Sequence, residues 1–129
     1  MYLGFSSMNT ADDPAPHLLA KTLEEAGFES LWYGEHSHIP VSRLTPYPPG
    51  GELPEPYKKM MDPYVSLMAA AAATSTLKLG TGIALLMERE LLSQTKTIAT
   101  LFGLKGNCAG ATRLTHRCRA RIPRGIDRL

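Results

Sequence analysis

Alternation of short apolar strand signals with amphipathic helix signals constrains this chain most. Tyr2 to Met8 is a mixed apolar run with Gly4, which predicts a first strand. Asp12-Asp13-Pro14 is a helix start, with acids at the positive end of the dipole and a proline for the first helical position. Leu18, Leu19, Thr22, Leu23 and Ala26 recur at helical spacing, and Gly27 ends the run. Phe28 to Gly34 is aromatic-rich and predicts a second strand. A strand, a helix and a strand joined this tightly imply parallel pairing.

The order then repeats after an interruption. Residues Glu35 to Met61 hold six prolines (Pro40, Pro46, Pro48, Pro49, Pro54, Pro56) and Gly50-Gly51. Prolines at that density exclude a long helix or a central strand, and so long a loop in a compact domain is usually functional or disordered. Asp62-Pro63 repeats the helix-start signal, and the helix runs from Tyr64 to about Ala73. Leu77 to Leu86 predicts a third strand, broken by Gly80 and Gly82. A third helix is predicted from Leu91 to Leu101. The pattern βαβαβα defines an α/β fold with a parallel sheet. Three such units fall short of the roughly 250 residues of a (β/α)8 barrel, so the first and third strands should present unpaired edges.

Charge divides the chain in the same place as the pattern. Residues 1–101 hold seven basic and eleven acidic side chains, a balance of −4; residues 102–129 hold seven basic and one acidic, +6. The first part reads as one domain, the second as an irregular Arg-rich tail without helical or strand periodicity, expected to be disordered. The tail's basic residues suit phosphate contacts, but it has no aromatic interleaving and no recognised motif, which argues against nucleic-acid binding. Cys108 and Cys118, with His116 nearby, do not supply four zinc ligands, so no metal is expected. No apolar run approaches membrane-spanning length and the N-terminus has no signal-peptide core, so a cytoplasmic protein with no membrane contact is the expectation.

Four segments carry a resemblance: LEEAGFESLWYGEHSHIP, DPYVSLMAAAAAT, LKLGTGIALL and ERELLSQTKTIATL. In this order and spacing they resemble the luciferase-like monooxygenase superfamily, above all its deazaflavin-dependent members. The resemblance implies a (β/α)8 TIM barrel of which the chain holds the first three βα units. It implies oxidoreductase chemistry on a small-molecule substrate, by hydride transfer or oxygen insertion, with FMN or an 8-hydroxy-5-deazaflavin (coenzyme F-420) bound at the C-terminal ends of the strands. GEHSHIP and GTGIALL lean toward the deazaflavin. After Leu101 the chain departs from the family pattern abruptly, as a shifted reading frame in a GC-rich gene would produce. The expectation is therefore a truncated enzyme of little activity alone, or a noncatalytic piece that forms a homo-oligomer through its sheet edges.

Candidate site residues follow from position. Glu35 and His36 come directly after the second strand, on the rim where parallel barrels hold their active sites. A carboxylate beside an imidazole can hold the ring's tautomer and tune its pKa; the alternative is a solvated loop pair. The resemblance places such an acid–His pair over the reactive face of the flavin ring, which makes Glu35 and His36 the catalytic candidates. It also places Thr81, Gly82 and Ile83 behind the ring as cofactor-binding residues, with a non-prolyl cis peptide at Gly82-Ile83; the alternative is an ordinary strand with small residues. Asn9, at the end of the first strand, is the substrate-binding candidate, or else part of a helix-start loop. His38 reads as a loop histidine, and Trp32 and Tyr33 as sheet packing.

Overall fold

The computed structural model describes residues 1–105. Three strands, β1 (Gly4–Ser7), β2 (Ser30–Tyr33) and β3 (Lys78–Thr81), alternate with three helices, α1 (Pro16–Glu25), α2 (Pro63–Ala73) and α3 (Leu91–Lys105). Single 3₁₀ turns occur at Glu55–Lys58 and Leu86–Glu88. The strands form one parallel sheet in the order β1-β2-β3, with Phe5 opposite Leu31 and Leu31 opposite Leu79. This is the α/β order read from the sequence, and it is consistent with a partial TIM-barrel-like unit. β1 and β3 are the edges of the sheet among the described residues.

Side chains alternate across a strand, and the sheet sorts accordingly. Leu31, Tyr33 and Leu79 join a core with Ala20 and Leu23 of α1, Tyr64, Leu67, Ala70 and Ala71 of α2, and Leu101 of α3. The alanines of α2 let α1 lie close against it. The opposite face carries Ser30 and Trp32, whose Nε1 donates to Ser30 Oγ at 2.9 Å. Gly4 of β1 faces this pair. A Cβ at Gly4 would lie 2.7 Å from Ser30 Oγ, too close for any side chain without movement.

β1 and β2 are shorter at both ends than expected, and three further departures each have a local cause. First, α1 begins at Pro16 and not at Pro14. Ala15 precedes Pro16 and is held at ψ 137°, because the following ring excludes the helical region; the helix therefore waits for the second proline. Asp13 caps a turn instead, accepting from Thr10 N at 2.8 Å and from Ser7 Oγ at 3.2 Å. Second, β3 stops at Thr81 instead of reaching Leu86. Its partner β2 ends at Tyr33; Gly82 N makes one more bond to Tyr33 O, and the ladder has no further rungs. Third, α3 continues past Leu101 to Lys105, so the change of sequence pattern falls within a helix. The remainder of the expected tail lies outside the described residues.

The ends marked by Gly27 and by Asp62-Pro63 form as the sequence indicates. Gly27 adopts φ 80°, and Phe28 N and Gly27 N close on Leu23 O and Glu24 O, a Schellman stop. Asp62 caps α2, accepting from Tyr64 N at 2.8 Å and Val65 N at 3.1 Å, with Pro63 in the first turn. Among the described residues no helix is long and apolar enough to cross a membrane, and no cluster of three or more His, Cys, Asp or Glu side chains is placed to hold a metal.

Candidate functional site

Parallel pairing brings the C-terminal ends of all three strands to one rim. Asn9 follows β1, Glu35 and His36 follow β2, and Thr81, Gly82 and Ile83 end and follow β3. The long loop 34–61 runs over this rim and is tied back to it. Met61 N donates to Asn9 O at 2.7 Å, Asn9 Nδ2 donates to Met61 O at 3.0 Å, and Thr10 bridges Met60 in antiparallel pairing. Asn9 holds φ 60°, a left-handed conformation that asparagine tolerates better than most residues. It is buried, and its Oδ1 has no hydrogen-bond partner. The structure thus gives the Asn9 backbone and amide nitrogen a tethering role and leaves one polar atom unspent.

Glu35 and His36, adjacent in sequence, point their chemistry to different places. The Glu35 side chain is 1% exposed. Its carboxylate accepts from Leu85 N at 2.7 Å and from Arg89 Nε. Arg89 also reaches Asp62 Oδ2 at 2.8 Å and lies 4.9 Å from the centre of the Tyr64 ring. One guanidinium therefore fastens the end of β2, the cap of α2 and the segment after β3 together. Burial opposes ionisation of Asp62, but the bonds from Arg89 and from the α2 N–H groups outweigh it and hold the carboxyl below its usual range. Both Glu35 oxygens are thus engaged with residues 85–89 rather than with the neighbouring imidazole that the sequence suggested.

His36 instead packs edge-on against Tyr57 at 5.4 Å, and Tyr57 packs likewise on Tyr47 at 5.8 Å. His36, His38, Arg43, Tyr57, Lys58 and Met60 line a cleft of about 430 Å³. Thr81 is buried, whereas Gly82 is exposed and Ile83 stands 67% exposed, an uncovered apolar side chain at the rim. The described residues contain no cis peptide bond, so the cis arrangement that the resemblance implied for Gly82-Ile83 is not present. Tyr33 lies under the rim, and burial, aided by the nearby Asp13, pushes its phenol up to about 12.

Sequence reasoning missed Arg89 and the side-chain pairing of Asp62 with it. Arg89 lies 54 positions from Glu35, and nothing in the charged run Glu88-Arg89-Glu90 tells a salt bridge at the rim from a solvated turn. Besides Glu35 itself, only the Asp62-Pro63 cap signal pointed to a member of the network.

A comparison with known families matches the model described as luciferase-like monooxygenase over residues 10–106. Uncharacterized proteins of Mycobacterium bovis (Mb0978c) and Mycobacterium tuberculosis (Rv0953c) are similar to the chain, each 36% identical over 104 residues. The alignment covers 78% of this chain and 37% of each relative, so the chain spans little more than a third of the length of the relatives it matches. The matched stretch includes every element from α1 to α3 and all the rim residues except Asn9, and on it the chain belongs to the luciferase-like monooxygenase family.

Proposed function

We propose that residues 1–105 form the ring-contacting side of an oxidoreductase site that takes an 8-hydroxy-5-deazaflavin (coenzyme F-420) or FMN and a small-molecule substrate. The observation that carries this reading is the convergence of Asn9, His36 and Thr81–Ile83 on one rim, with Ile83 uncovered there. An exposed apolar side chain next to a glycine suits a flat, largely apolar ring better than it suits water. Bound, such a cofactor accepts or donates hydride, or as reduced flavin activates oxygen. The chain's own residues have separate tasks around it. Gly82 leaves room above the sheet, Ile83 supplies the apolar backing, and the cleft beside His36 takes the substrate. Glu35 holds the 82–89 segment in place through Arg89 and Leu85. The resemblance favours the deazaflavin through GEHSHIP and GTGIALL.

The test is thermal unfolding of the chain with each cofactor in excess. A ligand that binds the native state alone stabilises it by RT ln(1 + [L]/Kd), about 2.7 kcal/mol at a hundredfold excess over Kd. The expected result is a higher midpoint with one of the two cofactors, diminished by Ile83→Glu. A transition that neither cofactor moves would refute the reading.

A further inference from the structure

Two arginines of similar burial are provided for differently. The Arg89 side chain is 25% exposed, bonds the carboxylates of Glu35 and Asp62 and lies over the Tyr64 ring. The Arg43 side chain is 31% exposed, and among the described residues its guanidinium makes no hydrogen bond. Its one ion-pair partner there, Glu52 at 4.0 Å, is wholly exposed, an arrangement that contributes little in water. A guanidinium carries five N–H donors, and covering it without partners forfeits its hydration. Arg43 therefore has donors to spare for an acceptor that the described fold does not supply.

Arg43 lines the cleft of about 430 Å³ together with Lys58, His36 and His38, and among the described residues no carboxylate belongs to the lining. Residues 1–105 carry eleven acids against eight lysines and arginines, so this wall runs against the overall charge. Lys58 spends one ammonium hydrogen on Glu55 at 2.7 Å and keeps two more donors. Glu88 accepts from Ser37 and lies 3.9 Å from His38, so the histidine side already has a negative charge beside it. An incoming anion is thereby directed to Arg43 and Lys58. Ile39, Pro40, Val41 and Met60 are also in the lining and suit an apolar body.

We propose that Arg43 and Lys58 bind the carboxylate or phosphate head of a small ligand whose apolar body lies against Ile39, Val41 and Met60. That this ligand is the substrate rests on the oxidoreductase reading; the anion site itself does not. The substrate class is then an organic acid or a phosphate ester. Either head accepts paired hydrogen bonds from a guanidinium, which a lone ammonium cannot match in geometry. Glu52, held at 4.0 Å and open to water, is the competitor that the ligand's head displaces from Arg43.

The experiment uses the full chain labelled with ¹⁵N in its arginines, without cofactor and at constant ionic strength. Loss of one Nε–H resonance in Arg43→Gln identifies the Arg43 signal. Butyrate, butyl phosphate and butan-1-ol are titrated in turn. The expected result is a saturable shift of the Arg43 signal with an anion and none with the alcohol, and the relative affinities of the two anions distinguish the head groups. Lys58→Gln should weaken binding about two- to fivefold, the range of an exposed ion pair, and Glu52→Gln should tighten it. An Arg43 signal that neither anion moves, or that moves only in proportion to the signals of Arg113 to Arg128, overturns the site. An affinity unaltered in Lys58→Gln overturns its pairing with Arg43. Because no cofactor is present, these failures leave the cofactor-binding test standing, with a neutral substrate.

Discussion

At the scale of single residues, Glu35 has the sharpest consequence. The sequence marks it as a rim acid next to a histidine, and the resemblance gives it chemistry at the flavin ring. In the structure its carboxylate is enclosed and bound by Arg89 and Leu85 N. Truncation to alanine would strand the Leu85 N–H and remove one of two anionic partners of Arg89. Arg89 keeps Asp62 and is 25% exposed, so the loss belongs at the lower end for a broken buried pair, roughly 2–3 kcal/mol. Chemical denaturation of Glu35→Ala against the unaltered chain measures it. Glu35→Gln retains the acceptor for Leu85 N and should recover part of the loss. A Glu35→Ala chain as stable as the parent would show that the clamp contributes nothing. Asn9 teaches a related point. Its backbone conformation and its amide bond to Met61 are tertiary features, invisible in the tripeptide Met8-Asn9-Thr10.

At the scale of elements, the loop between α2 and β3 is held by α1. Glu24, near the end of α1, accepts from Ser75 N and Leu77 N at 2.9 Å and from Thr76 Oγ1 at 2.8 Å, and also from Thr76 N. Those bonds, led by the Thr76 N–H and hydroxyl, lower its carboxyl to about 2 from an ordinary 4.5. The sign follows from linkage. A depressed folded-state value means the unfolded chain takes up the proton first as pH falls. The stabilisation is complete above about 4.5 and is lost as pH falls toward 2. The expected outcome is a midpoint of thermal unfolding that declines over this window, with a shallower decline in Glu24→Gln. Equal slopes would sever the latch from the acid response. Element identity was legible throughout because hydrophobic periodicity and the Asp62-Pro63 and Gly27 signals are local. Element limits were not. The start of α1 turned on which of two prolines could be followed by a helix, and the end of β3 on where its partner stopped.

At the scale of the whole molecule, the described surface is unusually apolar around the rim. Ile83, Leu86, Met87, Leu91 and Leu92 are all exposed within ten residues of chain, and β1 and β3 offer open edges. The expectation is association that grows with concentration, read by sedimentation velocity. Met87→Glu combined with Leu92→Glu should shift the distribution toward monomer. Burial of apolar surface is not screened by salt, so the association should persist at high ionic strength. Dissolution by salt alone would point to charge pairing instead.

The chain's own order of residues determined the α/β class, the parallel direction of the sheet, the helix caps at Asp62 and Gly27, and the gathering of Asn9, Glu35, His36 and Thr81–Ile83 on one rim. These depend on spacing along the chain and on local stereochemistry, which a sequence displays directly. Tertiary structure decided what those residues touch. It turned Glu35 away from His36 toward an arginine 54 positions later. It joined Ser37 to a glutamate 51 positions away. Long-range polar pairing has no period and no fixed offset; it is settled only when packed helices and paired strands set the distances between side chains.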